Sequence, residues 1–216
     1  MKTVGSTYRR NMRLLFVCSG NLCRSPMAER LAGKWAEQAL GAKAAALHIS
    51  SAGVAARVGE PMDPRSAAAL RRLGGEADGF TARALTDDMA QESDLVLTMT
   101  RRQRRLVLEM APRKLRSTFT LREAADLLSA ADVAGVHALS PTIRARELAQ
   151  RLDTARAHRR VFQDDDIVDP IGRRQEVHDR AADSIAAALR PLAAVLFVSD
   201  GIQGTRAPED GVASGF

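Results

Sequence analysis

The apolar run Leu14-Leu15-Phe16-Val17 stops at Cys18-Ser19-Gly20-Asn21-Leu22-Cys23-Arg24-Ser25 and gives way to Pro26-Met27-Ala28-Glu29-Arg30-Leu31. Four consecutive apolar residues bounded by turn formers read as a strand buried on both faces. Beyond Pro26 the pattern turns helical, with Met27, Leu31 and Trp35 stepping along one face. The order is therefore strand, tight loop, helix. A loop entering a helix in this way turns successive backbone N–H groups inward and forms an anion nest where the helix dipole favours negative charge.

The side chains of the loop suit such a nest. Gly20 is expected at a positive φ, and Asn21 tolerates the left-handed region better than most residues. Ser25 is expected to cap the helix, with Pro26 at its first position. Arg24 supplies a planar fork matched to two phosphoryl oxygens. Together with the nest it favours the thiolate of Cys18, a nucleophile at the floor of a phosphate-binding loop. The plainer alternative makes Cys18 and Cys23 small buried hydrophobes. The agreement of every flanking residue favours the loop.

The rest of the chain alternates. Strands are expected near Arg13–Val17, Leu47–Ser51, Leu95–Met99 and Thr118–Leu121. Helices are expected near Pro26–Leu40, Pro64–Leu73 with Asp63 as its cap, Thr86–Asp88 onward, Arg101–Glu109, Glu123–Ala131 and Pro141–Arg160. A last helix starts near Arg174 with Ile185, Leu189, Leu192 and Leu196 on one face, and Pro191 should kink or divide it. Alternation of this kind implies an α/β three-layer sandwich, a central four-stranded parallel sheet with helices on both faces. Ligand sites in such sheets lie beyond the carboxyl ends of the strands, where Cys18 falls. Segments 1–11 and 200–216 read as mobile tails around a single domain at 12–199.

With 216 residues the chain buries a substantial core without staples. No apolar stretch approaches the roughly 20 residues of a membrane span. No apolar signal region precedes Leu14, and two cysteines do not make a disulfide framework, so a reducing cytoplasmic setting is expected. The net charge of +6 is concentrated at Arg101-Arg102-Gln103-Arg104-Arg105 and at Arg113, Lys114 and Arg116. With one Trp and one Tyr there is no platform for stacking bases, so the run reads as a solvated face and no nucleic-acid partner is expected. His48, His137, His158 and His178 show no ligand spacing and read as surface or capping residues, so neither a metal nor a cofactor is expected.

The segment Val17–Pro26 resembles the signature of the low-molecular-weight protein tyrosine phosphatases. The likeness continues through Ser50-Ser51-Ala52-Gly53, Gly59-Glu60-Pro61-Met62-Asp63-Pro64, Asp94-Leu95-Val96-Leu97-Thr98-Met99 and Asp169-Pro170, with a weaker middle near 122–164. It implies a phosphomonoester hydrolase of the same fold that works through a cysteinyl phosphate. Cys18 would be the nucleophile and Arg24 the phosphate ligand. Asp169, whose loop is shaped by Pro170 and Gly172, would be the general acid. Asp63 opens a helix and is better read as a cap, and Asp164, Asp165 and Asp166 as a solvated acidic turn. Asn21, Ser25 and Ser51 would brace the loop from within, and Cys23 would be a redox partner that shields Cys18 from over-oxidation.

The expected substrate is a phosphorylated protein, with phosphotyrosine favoured. The aromatic residues common in the family are replaced by Ile171 and Gly172 after Asp-Pro and by Val54-Ala55-Ala56-Arg57 after Gly53. A phosphotyrosine ring would pack on Leu22, Ile171 and Val54. Phosphoarginine phosphatases of this fold tend to carry threonine where Leu22 stands. Arsenate reductases that relay oxidation use later cysteines, and none follows Cys23. A module that only binds phosphopeptides would normally have lost the nucleophile or the acid, and here Cys18, Arg24 and Asp169 are all present. The sequence sets no oligomeric state.

Overall fold

The first strand is β1, Met12–Cys18, in a computed structural model that describes residues 11–159 and 165–198. It is followed by α1 (Arg24–Leu40), β2 (Leu47–Gly53), α2 (Pro64–Arg72), α3 (Asp87–Glu92), β3 (Leu95–Thr98) and α4 (Arg101–Met110). Then come β4 (Thr118–Thr120), α5 (Leu121–Leu128), α6 (Pro141–Arg156) and α7 (Gln175–Leu196). The four strands form one parallel sheet in the order β2-β1-β3-β4.

The period-2 alternation of β1 divides the core. Leu14, Phe16 and Cys18 face a large apolar cluster that includes Met27 and Leu31 of α1, Leu148 and Leu152 of α6, and Ile185, Leu189, Leu192 and Leu196 of α7. Leu15 and Val17 face a smaller cluster with Ala90 of α3 and Val107 of α4. Helices thus cover both faces, as three layers require. Trp35, at the rim of the larger cluster, lies half-buried with the Arg190 guanidinium 5.3 Å from its ring centroid.

The chain runs from β1 outward to β2 and then back across β1 to β3. The ends of these strands meet at the reversal of strand order, the place where doubly wound sheets bind ligands. Cys18 pairs with Gly53 and Val17 with Thr98, so the segments leaving β1, β2 and β3 emerge side by side.

Several expectations change. α7 runs through Pro191 undivided; Leu189, Leu192, Ala193 and Leu196 are buried on both sides of the proline, and this packing outweighs one lost hydrogen bond. α5 starts at Leu121, because Thr120 and Glu123 form a capping box. α1 starts at Arg24 rather than Pro26, with Cys23 at its cap position, and Ser25 makes no cap. Three short 3₁₀ segments, at Gly41–Ala46, Pro112–Ser117 and Val136–Ala138, were not expected. Arg160, Asp164 and the expected tails, apart from Asn11, lie outside the described residues.

Candidate active site

The loop from Cys18 to Ser25 leaves the buried end of β1 and is held by the segment that leaves β2. Val54 N donates to Cys18 O (3.0 Å), Ala55 N to Ser19 O (2.9 Å), Arg57 N to Gly20 O (3.1 Å) and Asp63 N to Leu22 O (3.0 Å). In a trans peptide the N–H points opposite to the preceding carbonyl. The amides of Ser19, Gly20, Asn21 and Cys23 are therefore directed away from that segment. None of the four finds a backbone acceptor among the described residues. Amides arranged in this way form an anion nest.

Gly53 allows this close seating. A Cβ there would lie 2.5 Å from Ser19 O and 2.9 Å from Asn21 N. The left-handed residue of the loop is Asn21 (φ 55°), not Gly20 as expected. The reason lies in its side chain. Asn21 Nδ2 donates to Ser25 Oγ (2.9 Å) and Ser51 Oγ (2.8 Å), while its Oδ1 accepts from Arg83 N (2.8 Å). These three bonds fix the carboxamide and offset the cost of a positive φ.

Ser25 is likewise spent on the site. Its hydroxyl donates to Cys18 Sγ at 3.0 Å. Ser51 Oγ passes the chain on to Glu29, which Arg83 Nη2 also contacts (3.3 Å). Burial pushes the Glu29 carboxyl upward, against the opposing pull of Ser51 and Arg83. On the other flank Gln103 Nε2 donates to Ser19 Oγ (3.0 Å) and Gln103 Oε1 accepts from Met99 N (3.0 Å).

Arg24 is buried and joins the loop to the segment before α7. Its Nη1 donates to Ile167 O (3.0 Å), and its Nη2 pairs with Asp169 Oδ2. Its Nε is buried without a hydrogen-bond partner among the described residues, a donor that an anion would satisfy. Asp169 is exposed, and its other oxygen accepts from Ile171 N (3.3 Å). The loop, Ala55, Arg57, Asp169 and Ile171 enclose a cavity of about 210 Å³ above Cys18. Cys18, Arg24 and Asp169 thus share one cavity, and Leu22 and Ile171 supply its apolar wall.

Cys23 and His178 stand behind the loop. Burial pushes the Cys23 thiol up to about 12. His178 is fully buried rather than superficial, with its Nδ1 2.8 Å from Ser66 Oγ and 3.5 Å from Asp63 Oδ1. Cys23, Asp63 and His178 place ligand-type atoms within 4.8 Å of one another. The Ser66 hydroxyl is hydrogen-bonded to His178 Nδ1 and partly offsets the upward push of burial on the Cys23 thiol. Asp63 caps α2 as expected, accepting from Arg65 N and Ser66 N. Asp165 and Asp166 are not a solvated turn. Asp165 is buried against Arg159, and Asp166 Oδ1 accepts from Arg101 N at the start of α4 (2.8 Å).

Gln103, Glu29 and Arg83 were not foreseen. Gln103 did carry a signal, since it is the uncharged member of an arginine run, four residues before the buried Val107.

The family model "Low molecular weight phosphotyrosine protein phosphatase" matches residues 13–134. Among curated relatives, the tyrosine phosphatase Wzb of Escherichia coli K12 is 39% identical over 101 residues, which are 46% of this chain and 62% of Wzb. Among solved structures, the YwlE arginine phosphatase from Geobacillus stearothermophilus has a TM-score of 0.61 at 28% identity, covering 86% of this chain and 92% of that one. A YwlE cysteine-to-serine mutant with a phosphorylated active-site serine gives 0.62 at 26% identity, covering 86% and 95%. No helix among the described residues is long and apolar enough to cross a membrane.

Proposed function

This chain belongs to the low molecular weight phosphotyrosine protein phosphatase family, and on that premise we propose that it hydrolyses phosphorylated proteins through a phosphocysteine. Cys18 attacks phosphorus as the P–O bond to the substrate breaks, and Asp169 protonates the departing oxygen. In the second step Asp169 takes a proton from water, which attacks phosphorus, breaks the S–P bond and releases inorganic phosphate. The nest and Arg24 hold the phosphoryl oxygens and carry the charge of both transition states. Cys23 serves as the redox partner of Cys18. The two free, buried cysteines suit a reducing cytoplasmic setting.

The observation that carries this reading is the orientation of the loop. The carbonyls of Cys18, Ser19, Gly20 and Leu22 are bonded on one side, the amides that follow them find no backbone acceptor among the described residues, and the Ser25 hydroxyl rests on the thiol at the loop's floor.

Phosphotyrosine is the favoured substrate, because Leu22 and Ile171 wall the cavity with hydrocarbon where a guanidinium would need polar partners. The YwlE neighbours supply the competing reading, phosphoarginine. Matched phosphotyrosine and phosphoarginine peptides decide between them. A higher kcat/KM on phosphotyrosine is expected, with phosphate trapped on Cys18 after a rapid acid quench. Preference for phosphoarginine would reverse the assignment.

A further inference from the structure

A second, larger cavity of about 730 Å³ opens beside the first and shares Ser19, Arg24, Ala55 and Asp169 with it. A phosphoryl group needs only the smaller one. The larger falls in the size range of sites that take up whole side chains. Val54, Leu106 and Val168 give it apolar walls, and Arg102 gives it a cation.

The arginine run of α4 divides by role. Arg101 lies 3.6 Å from Asp166, and Arg104 turns inward to donate to Thr118 O (2.9 Å) near Glu123. Arg102 is exposed and pairs with no carboxylate among the described residues. It lies four residues from Leu106, on the same helix face. The two carboxylates of this cavity, Asp166 and Asp169, are already engaged by Arg101 and Arg24. Positive charge is therefore left over beside a hydrocarbon wall.

We propose that this cavity is a subsite for the residue next to the phosphorylated one, and that it takes glutamate. The stem packs on Leu106, Val54 and Val168 while the carboxylate meets Arg102. The inference rests on the phosphatase reading above. A peptide with its phosphoryl group over Cys18 passes Asp169, one of the residues common to both cavities, and so carries its neighbouring side chain into the second.

The test compares kcat/KM for phosphotyrosine peptides bearing glutamate or lysine beside the phosphorylated residue. The wild type is set against Arg102→Glu, and para-nitrophenyl phosphate, which does not reach the second cavity, is the reference substrate. For an exposed charge pair the wild type should favour glutamate by about threefold to fivefold, with the preference inverted in Arg102→Glu. A glutamate-to-lysine ratio that is the same in both proteins, with para-nitrophenyl phosphate turned over normally, overturns the subsite alone. A wild type inert toward para-nitrophenyl phosphate overturns the phosphatase reading, and this inference with it.

Discussion

Ser25 Oγ donates to Cys18 Sγ across 3.0 Å from the first turn of α1. A serine at a helix start ordinarily bonds a backbone amide, and here the hydroxyl is turned onto the sulfur instead.

Replacing Ser25 with alanine removes this donor and one partner of Asn21. A hydrogen bond to a charged group is worth about 1.5–3 kcal/mol, which corresponds to a roughly tenfold to hundredfold fall in kcat/KM. Alkylation of Cys18 by iodoacetamide at neutral pH should slow in the same variant. Undiminished alkylation would remove Ser25 from the role of thiolate partner.

Gly53→Ala and Gly33→Ala make a matched pair. A methyl at Gly53 meets Ser19 O at 2.5 Å, so the loop must shift, at about 1–3 kcal/mol and a Tm lower by roughly 2–10 °C. Activity should be largely lost with it. A methyl at Gly33, inside α1, meets nothing within 4 Å and should raise stability by roughly 0.5–1 kcal/mol. Thermal melts of both proteins check the contrast, and equal melting points would argue against the close seating.

The sheet and most helix starts were legible because each depends on local pattern. Val17 before Cys18 and Asp63 before Pro64 announce a strand end and a helix cap from their neighbours alone. Cys18, Arg24 and Asp169 were legible as a set only through the family resemblance, since Asp169 lies 145 residues from Arg24. Local rules misassigned Gly20 and Ser25. Propensity favours glycine at a positive φ and serine at a cap, but the long-range bond of Asn21 to Ser51 and the bond of Ser25 across the loop to Cys18 overrode both. Gln103 and Arg83 reach the loop from 84 and 62 residues away, a distance that no periodicity reports.

Glu29 gives the fold a pH dependence of unusual sign. Its native carboxyl is raised above the ordinary value because it is buried. The folded state therefore holds the proton more tightly than the unfolded chain does. This contribution is fully present below the unfolded value and is lost as pH rises from about 4.3 through the raised native value. Glu29→Gln, which cannot ionise, should gain stability relative to wild type across that window. Urea melts at a series of pH values check it, and a constant difference between the two proteins would contradict the assignment.

Cys23 should resist alkylation while folded, because its thiol is pushed up to about 12. Iodoacetamide at neutral pH should add one group, at Cys18, and a second only after denaturation. After brief peroxide treatment, wild type should regain activity with reductant, and Cys23→Ala should regain much less as Cys18 passes to sulfinic acid. Equal recovery in both would remove Cys23 from the redox role.

The most direct test of the account is hydrolysis of para-nitrophenyl phosphate in excess EDTA by wild type, Cys18→Ser and Asp169→Asn. Metal-independent turnover is predicted for wild type. It should vanish in Cys18→Ser and fall about 10²–10⁴-fold in Asp169→Asn, the range for losing a general acid. Wild-type turnover that EDTA abolishes, or a Cys18→Ser protein that keeps it, would contradict the phosphocysteine mechanism.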